Sequence, residues 1–216
     1  MPPGRRTSAS RDPFVPASLA LAAALTAGAV LLICGVRDVD PPHRRAAQAG
    51  SASADLTRPT VRPLRPADPV RLRIAAIGVD APMTRVGLDA AGAPRTPPPG
   101  KPGFAGWYGD GTAPGSAGTA IATGHLDTPT GGPGVFYDLS ALTEGATIEI
   151  SRADRRTAVF TVRAVELHDR KKFPSKKVYG SSGRPELRLI TCGGGYTKRT
   201  GYLSNLVVYA TLTAVT

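Results

Sequence analysis

The chain has 216 residues, 25 of them Gly and 21 Pro, and a formal charge of +11, so it has room for one domain of ordinary size plus a non-globular part. The basic balance suits nucleic acid, anionic lipid or an anionic wall polymer. No helix-turn-helix or aromatic RNA-binding pattern accompanies it, which argues against nucleic acid, and three scattered His with two distant Cys make no zinc site.

Residues 1–12 carry Arg5, Arg6 and Arg11 and read as a cytoplasmic tail. Pro13 to Val36 is free of charge, with Leu19 to Leu25 and Ala29 to Ile33 as its apolar core. As a helix, about 24 residues span ~36 Å, enough to cross a bilayer. Arg37, Arg44 and Arg45 follow, so the charge asymmetry is moderate. The competing reading is a cleaved signal peptide processed near Ala46-Ala47-Gln48-Ala49. It needs an apolar run long for such a peptide and a site well beyond it. The expectation is a single transmembrane signal anchor over 13–36.

Residues 37–69 are rich in Pro, Ala, Arg and Ser and poor in large apolar side chains. Such a segment buries too little surface to offset its ordering entropy. Pro59, Pro63, Pro66 and Pro69 favour extended chain, so it reads as a stalk.

From Val70 to residue 216 the pattern has period two. Leu72 and Ile74 alternate with Arg71 and Arg73, and Ile148 and Ile150 with Thr147 and Glu149. In Thr157 to Val165, Phe160, Val162 and Ala164 form one apolar face, while the opposite face mixes Val159 and Val165 with Thr161 and Arg163, so burial on parts of both faces is expected. Thr119 to Thr123, Leu187 to Cys192 and Leu206 to Leu212 complete the strands. Gly109-Asp110-Gly111, Gly131 to Gly134, Ala153-Asp154 and Ser182-Gly183 separate them as turns. Short strands with regular turn signals predict an all-β barrel or sandwich. Only Phe136 to Leu142 reads as a short helix, and Arg170-Lys171-Lys172 with Lys176-Lys177 reads as a solvated basic loop.

Cys192 ends its strand at a glycine turn, and the other cysteine, Cys34, lies in the apolar N-terminal run. A disulfide would join the membrane to the soluble domain, so Cys192 reads as a free thiol. Two roles stay open for it, nucleophile and small buried hydrophobe. His125 likewise ends an apolar strand, 67 positions before Cys192. A nucleophile and a proton carrier brought together in space make an acyl-transfer site. Asp127 is a candidate to orient His125. Thr191 faces away from Cys192 by strand alternation and reads as a packing or hydrogen-bonding residue.

Thr123-Gly124-His125, Leu189-Ile190-Thr191-Cys192-Gly193-Gly194 and Asn205 to Ala210 resemble the sortase family. Gly106-Trp107-Tyr108, Gly134 to Tyr137 and Arg184 to Gly194 bring the likeness closest to the actinobacterial class F (or E/F) type. The resemblance implies an all-β fold: a closed sortase-like barrel with short helices, preceded by a single N-terminal transmembrane helix. It implies a membrane-anchored cysteine transpeptidase, a thiol protease in its first half-reaction, with an extracellular catalytic domain. Its substrates would be proteins with a Leu-Pro-x-Thr-Gly-like sorting signal, cut after Thr. A thioester on Cys192 would pass to an amine of a peptidoglycan precursor, with His125 as general acid/base. No cofactor or metal is expected. The family also uses an arginine from the strand after the cysteine, where Tyr202-Leu203-Ser204-Asn205 carries Leu203. Arg199 is the first candidate to replace it, and Arg188 the second. The alternative function is a catalytically weak or inactive tethered wall-binding module. An L,D-transpeptidase would need a Ser-His-Gly-Cys-x-Arg run, whereas Gly-Gly-Gly-Tyr follows Cys192, and papain-like peptidases place Cys before His.

Overall fold

The computed structural model describes residues 61–199 and 201–216. The expected span over 13–36 and the stalk as far as residue 60 lie outside them. Among the described residues no helix is long and apolar enough to cross a membrane.

Eight strands close into a barrel in the order β1-β2-β3-β4-β7-β8-β6-β5. They are β1 (Pro69–Ile74), β2 (Val79–Val86), β3 (Ala105–Tyr108), β4 (Thr119–Thr123), β5 (Thr147–Arg152), β6 (Thr157–Asp169), β7 (Glu186–Thr197) and β8 (Gly201–Val215). Neighbours run antiparallel except β2 with β3 and β4 with β7, which are parallel. Closure leaves no unpaired sheet edge. The expected short helix at 136–142 is a turn followed by a single 3-10 turn, Leu139–Ala141. One α-helix, α1 (Ser175–Tyr179), stands where the basic loop was expected.

Alternation fills the interior. Leu72, Ile74, Ile148, Ile150, Phe160, Leu187 and Leu189 are fully buried in one core. On the outside, Arg71 pairs with Asp80 and Arg73 with Glu149. β2 and β3 are strands that periodicity did not announce. β2 has Pro82 in its middle, a residue that cannot donate to a ladder. β3 is four residues long and includes Gly106, where a Cβ would meet Thr123 Oγ1 at 2.9 Å.

Residues 61–68, read as stalk, lie against the barrel. Leu64 is buried and its N–H donates to Gly115 O at 2.8 Å. The guanidinium of Arg152, also buried, donates to the carbonyls of Arg65 and Pro114. A Pro-rich stretch with one anchoring Leu has no period to read, which is why composition alone assigned it to the stalk.

One irregularity determines how the site is built. Val162 pairs with Ala210 and Ala164 with Tyr209, so Arg163 is an extra residue, a β-bulge in β6. Each extra residue reverses the alternation. Ala158, Phe160 and Val162 therefore face in, while Ala164 turns outward to a second apolar cluster and Val165 packs inward. The expected single face of Phe160, Val162 and Ala164 is broken at that point.

Candidate active site

The site lies on the outer face of the parallel pair β4 and β7. Ala120 and Ala122 of β4 and Leu187 and Leu189 of β7 belong to the interior core. Thr119, Ile121 and Thr123 consequently face outward, as do Arg188, Ile190 and Cys192. The register sets Ile121 beside Arg188 and Thr123 beside Ile190. Gly124 N–H donates to Ile190 O at 3.2 Å, carrying the ladder one residue further. The next step brings His125 level with Cys192.

Two devices hold the His125 segment there. Thr191 Oγ1 donates to Gly124 O at 2.9 Å, from a residue 98% buried. The following loop folds back, with Phe136 N–H donating to His125 O at 2.9 Å and Gly134 N–H to Leu126 O at 2.9 Å. The return is tight: a Cβ on Gly134 would lie 2.3 Å from His125 O, and one on Gly124 2.5 Å from the Phe136 ring. Only glycine fits at either place.

The His125 ring is half-buried, with Nε2 at 2.7 Å from Pro97 O. A carbonyl can only accept, so Nε2 carries the proton in this arrangement. Asp127, the sequence candidate for orienting His125, instead accepts a hydrogen bond from Tyr202 OH at 2.5 Å. That bond, reinforced by the carboxylate charge, pushes the Tyr202 phenol up to about 12.

Cys192 is half-buried and pairs with Asn205 of β8. Burial pushes its thiol above the ordinary range; the Arg170 charge opposes the rise and Asp127 adds to it. Arg199 is exposed at the turn between β7 and β8, seven positions beyond Cys192. Arg188 shares the outer face with Cys192, but four residues of strand separate them by ~13 Å. Its guanidinium donates to Glu186 at 2.6 Å and lies over the Tyr209 ring, with Cζ 4.6 Å from the centroid. Glu186 is held below its ordinary range although burial pushes it up, because Ser182 and Arg188 both bond it. Arg188 thus belongs to a structural ion pair. The neighbours that sequence reasoning missed are Pro97, Tyr202 and Arg170. All three reach the site through loops or cross-strand pairing, and only the register would have revealed them.

Further along the outer face of β4 lies a cavity of about 260 Å³. Leu88 and Pro94 from the β2–β3 connection, Tyr108, Ile121 and Tyr179 supply most of its apolar wall. The β2–β3 connection continues over β4 from that cavity to His125, since Thr123 Oγ1 donates to Arg95 O at 2.7 Å and Pro97 is next to the imidazole.

A free thiol and an imidazole just past the ends of a parallel strand pair, beside an apolar cavity, are the groups that cysteine acyl transfer requires. The sortase domain, as a family profile, matches residues 72–213. The SrtA sortase of Actinomyces oris is similar in fold, with a TM-score of 0.51 and 20% identity over 74% of this chain and 89% of that one. Sortase A of Listeria monocytogenes gives 0.50 and 15% over 69% and 88%. Sortase C-1 of Actinomyces oris gives 0.50 and 21% over 68% and 76%. No curated protein matches the chain by sequence. The chain belongs to the sortase family, whose members are cysteine transpeptidases that anchor sorting-signal proteins.

Proposed function

We propose that Cys192 and His125 carry transpeptidation on a Leu-Pro-x-Thr-Gly-like sorting signal, on a domain held outside the cell membrane by an anchor over residues 13–36. The class F (or E/F) motif stretches around Gly106, Gly134 and Arg184 support an actinobacterial enzyme that attaches proteins to the wall. The observation that supports the reading is the β4–β7 register, which pairs Thr123 with Ile190 and bonds Gly124 N–H to Ile190 O, two residues short of Cys192 and one short of His125.

The chemistry follows from that placement. The Cys192 thiol yields its proton to His125, and Sγ adds to the carbonyl carbon of the Thr–Gly bond. The carbonyl π pair moves to oxygen, giving a tetrahedral oxyanion. When this collapses, the C–N bond breaks and the His125 imidazolium protonates the departing amine. The Thr acyl group is left as a thioester on Sγ. An amine of a peptidoglycan precursor then adds, gives its proton to His125 and displaces the thiolate, which restores the enzyme. An arginine, with Arg199 the candidate from sequence, is expected to support the oxyanion.

The outer face of β4 supports the substrate length. From Ile121, at the cavity, to the level of His125 is four residues, or ~13 Å of strand. An extended Leu-Pro-x-Thr segment spans at most ~14 Å. Seating the Leu side chain in the cavity brings the Thr carbonyl to Cys192.

The test is mass spectrometry of the full chain with Leu-Pro-x-Thr-Gly peptides and hydroxylamine as the amine. The expected result is cleavage between Thr and Gly with a Thr hydroxamate, abolished in Cys192→Ala and His125→Ala. No cleavage across variants at x, with no acyl adduct on Cys192, would overturn the assignment.

A further inference from the structure

The strand position that the family resemblance assigns to arginine holds Leu203, and it projects outward, 45% exposed. The β6–β8 register leads toward it: His168 pairs with Asn205 and Asp169 with Ser204, and there the pairing ends, with Arg170 the next residue of the chain. Asn205 in turn pairs with Cys192 and Ser204 with Gly193 on the other side of β8. Arg170 is therefore two residues past the level of Cys192, across β8 from it, near the position where an arginine is missing.

The bulge at Arg163 decides which residues of β6 share the outer face with Cys192. Beyond it Ala164 packs in the outer cluster, and His168 Nε2 lies 2.9 Å from the hydroxyl of outward-facing Tyr209. The strand ends at Asp169, and Arg170 opens the 3-10 turn Arg170–Lys172 that follows it. The turn bearing Arg170 is fixed by Asp169, whose Oδ1 accepts from Lys171 N–H at 2.7 Å. The guanidinium is oriented toward β8, since Nη1 donates to Tyr202 O at 3.2 Å. Among the described residues no carboxylate pairs with it, and a neutral carbonyl leaves the charge and further guanidinium donors available.

We propose that Arg170 is the arginine of this active site, donating to the carbonyl oxygen of the scissile bond and to the oxyanion formed when Cys192 Sγ adds. The role moves from β8 to the 3-10 turn that follows β6 while Leu203 occupies the usual seat. The assignment rests on Cys192 and His125 being the reacting pair. Arg170 stabilises, through donated hydrogen bonds, the charge that the carbonyl π pair brings to oxygen. Held by Tyr202 before substrate arrives, it needs little reorganisation, which is where such donors gain most of their effect. Its charge already acts on the Cys192 thiol, opposing the rise caused by burial.

The experiment compares full-chain variants in hydroxylamine-dependent cleavage of Leu-Pro-x-Thr-Gly peptides. Arg170→Ala is expected to lower kcat/KM about 100-fold or more, mostly in kcat. Arg170→Lys should recover only part, because a point charge does not reproduce the fork. Lys171→Ala, with the same charge change one residue away, should match the parent. Leu203→Arg placed in the Arg170→Ala background should restore at least about tenfold, a gain that no structural role of Arg170 predicts. Arg170→Ala within threefold of the parent, or a larger loss in Arg199→Ala, would overturn the proposal. A second readout is the pH dependence of Cys192 alkylation by iodoacetamide, whose midpoint should rise in Arg170→Ala. If the parent cleaves no peptide, the sorting-signal reading fails. An unmoved alkylation midpoint would independently overturn the pairing of Arg170 with Cys192.

Discussion

Inside the barrel, β4, β7, β8 and β6 present Ala120, Leu187, Leu189, Val208 and Phe160, every one of them fully buried. On the outside Cys192, Asn205 and His168 lie at one level across β7, β8 and β6, with His125 two residues past the end of β4 and the Arg188–Glu186 pair further down. The inner face is defined by burial, and any side chain of suitable size and polarity satisfies it. The outer face is defined by register, and each residue matters for what lies across from it. A one-residue shift of β7 against β4 would turn Arg188 and Cys192 inward, whereas a two-residue shift would keep the inner surface apolar and yet separate His125 from Cys192 by about 7 Å. The comparison predicts that inner substitutions act on stability and outer ones on chemistry.

Cys192→Ala should give the largest effect and the cleanest separation. Turnover of the peptide should fall at least about a thousandfold, because no thioester can form. Stability measured by urea unfolding should move by no more than about 1 kcal/mol. A comparable loss of stability would show that the cysteine is a packing residue, and the division between faces would fail. Phe160→Ala probes the opposite face. The ring is fully buried in the core, so the expected loss is about 3–5 kcal/mol in the same unfolding experiment. The fraction still folded should be alkylated at Cys192 at the parent rate. A slowed alkylation would mean that core packing tunes the site directly.

Thr191→Val tests the one residue that joins the two faces. Its hydroxyl reaches from the buried side to Gly124 O, immediately before His125. Losing it should cost about 1 kcal/mol of stability. It should also lower kcat several-fold by loosening the His125 segment, with little change in KM. Stability loss without any kinetic change would make Thr191 a core residue only.

The parts legible from sequence are those that depend on alternation: β1, β4, β5, the first half of β6, and the strands ending at Cys192 and Leu212. His125 and Cys192 were legible because each ends an apolar strand at a glycine-bearing turn. β2 was hidden by Pro82, and β3 by its four-residue length. α1 has five residues, too few for a helical period, and Lys176 and Lys177 gave it the look of open loop. The bulge at Arg163 could not be read either, since an extra residue is defined by its partner strand, Ala210 and Tyr209. Arg170 was hidden for another reason: it opens a three-residue 3-10 turn after β6, too short to show any period.

The smallest effect expected is that of Asp127→Asn, and its sign discriminates best. Asp127 raises the Cys192 thiol and, through a direct hydrogen bond, the Tyr202 phenol. Removing the carboxylate charge relieves both. The midpoint for Cys192 alkylation should move down, toward greater thiolate at a given pH. The Tyr202 phenol, followed by its absorbance at alkaline pH, should fall from about 12 toward the ordinary tyrosine range. Arg170→Ala must displace the cysteine midpoint the other way, because it removes the charge that favours thiolate. If both variants moved Cys192 in the same direction, the cause would be a change in burial common to the two. Opposite movements would establish that the outer face controls the thiol through two charges, one from the His125 loop and one from the turn after β6. Added salt should shrink both shifts, the more exposed charge losing more.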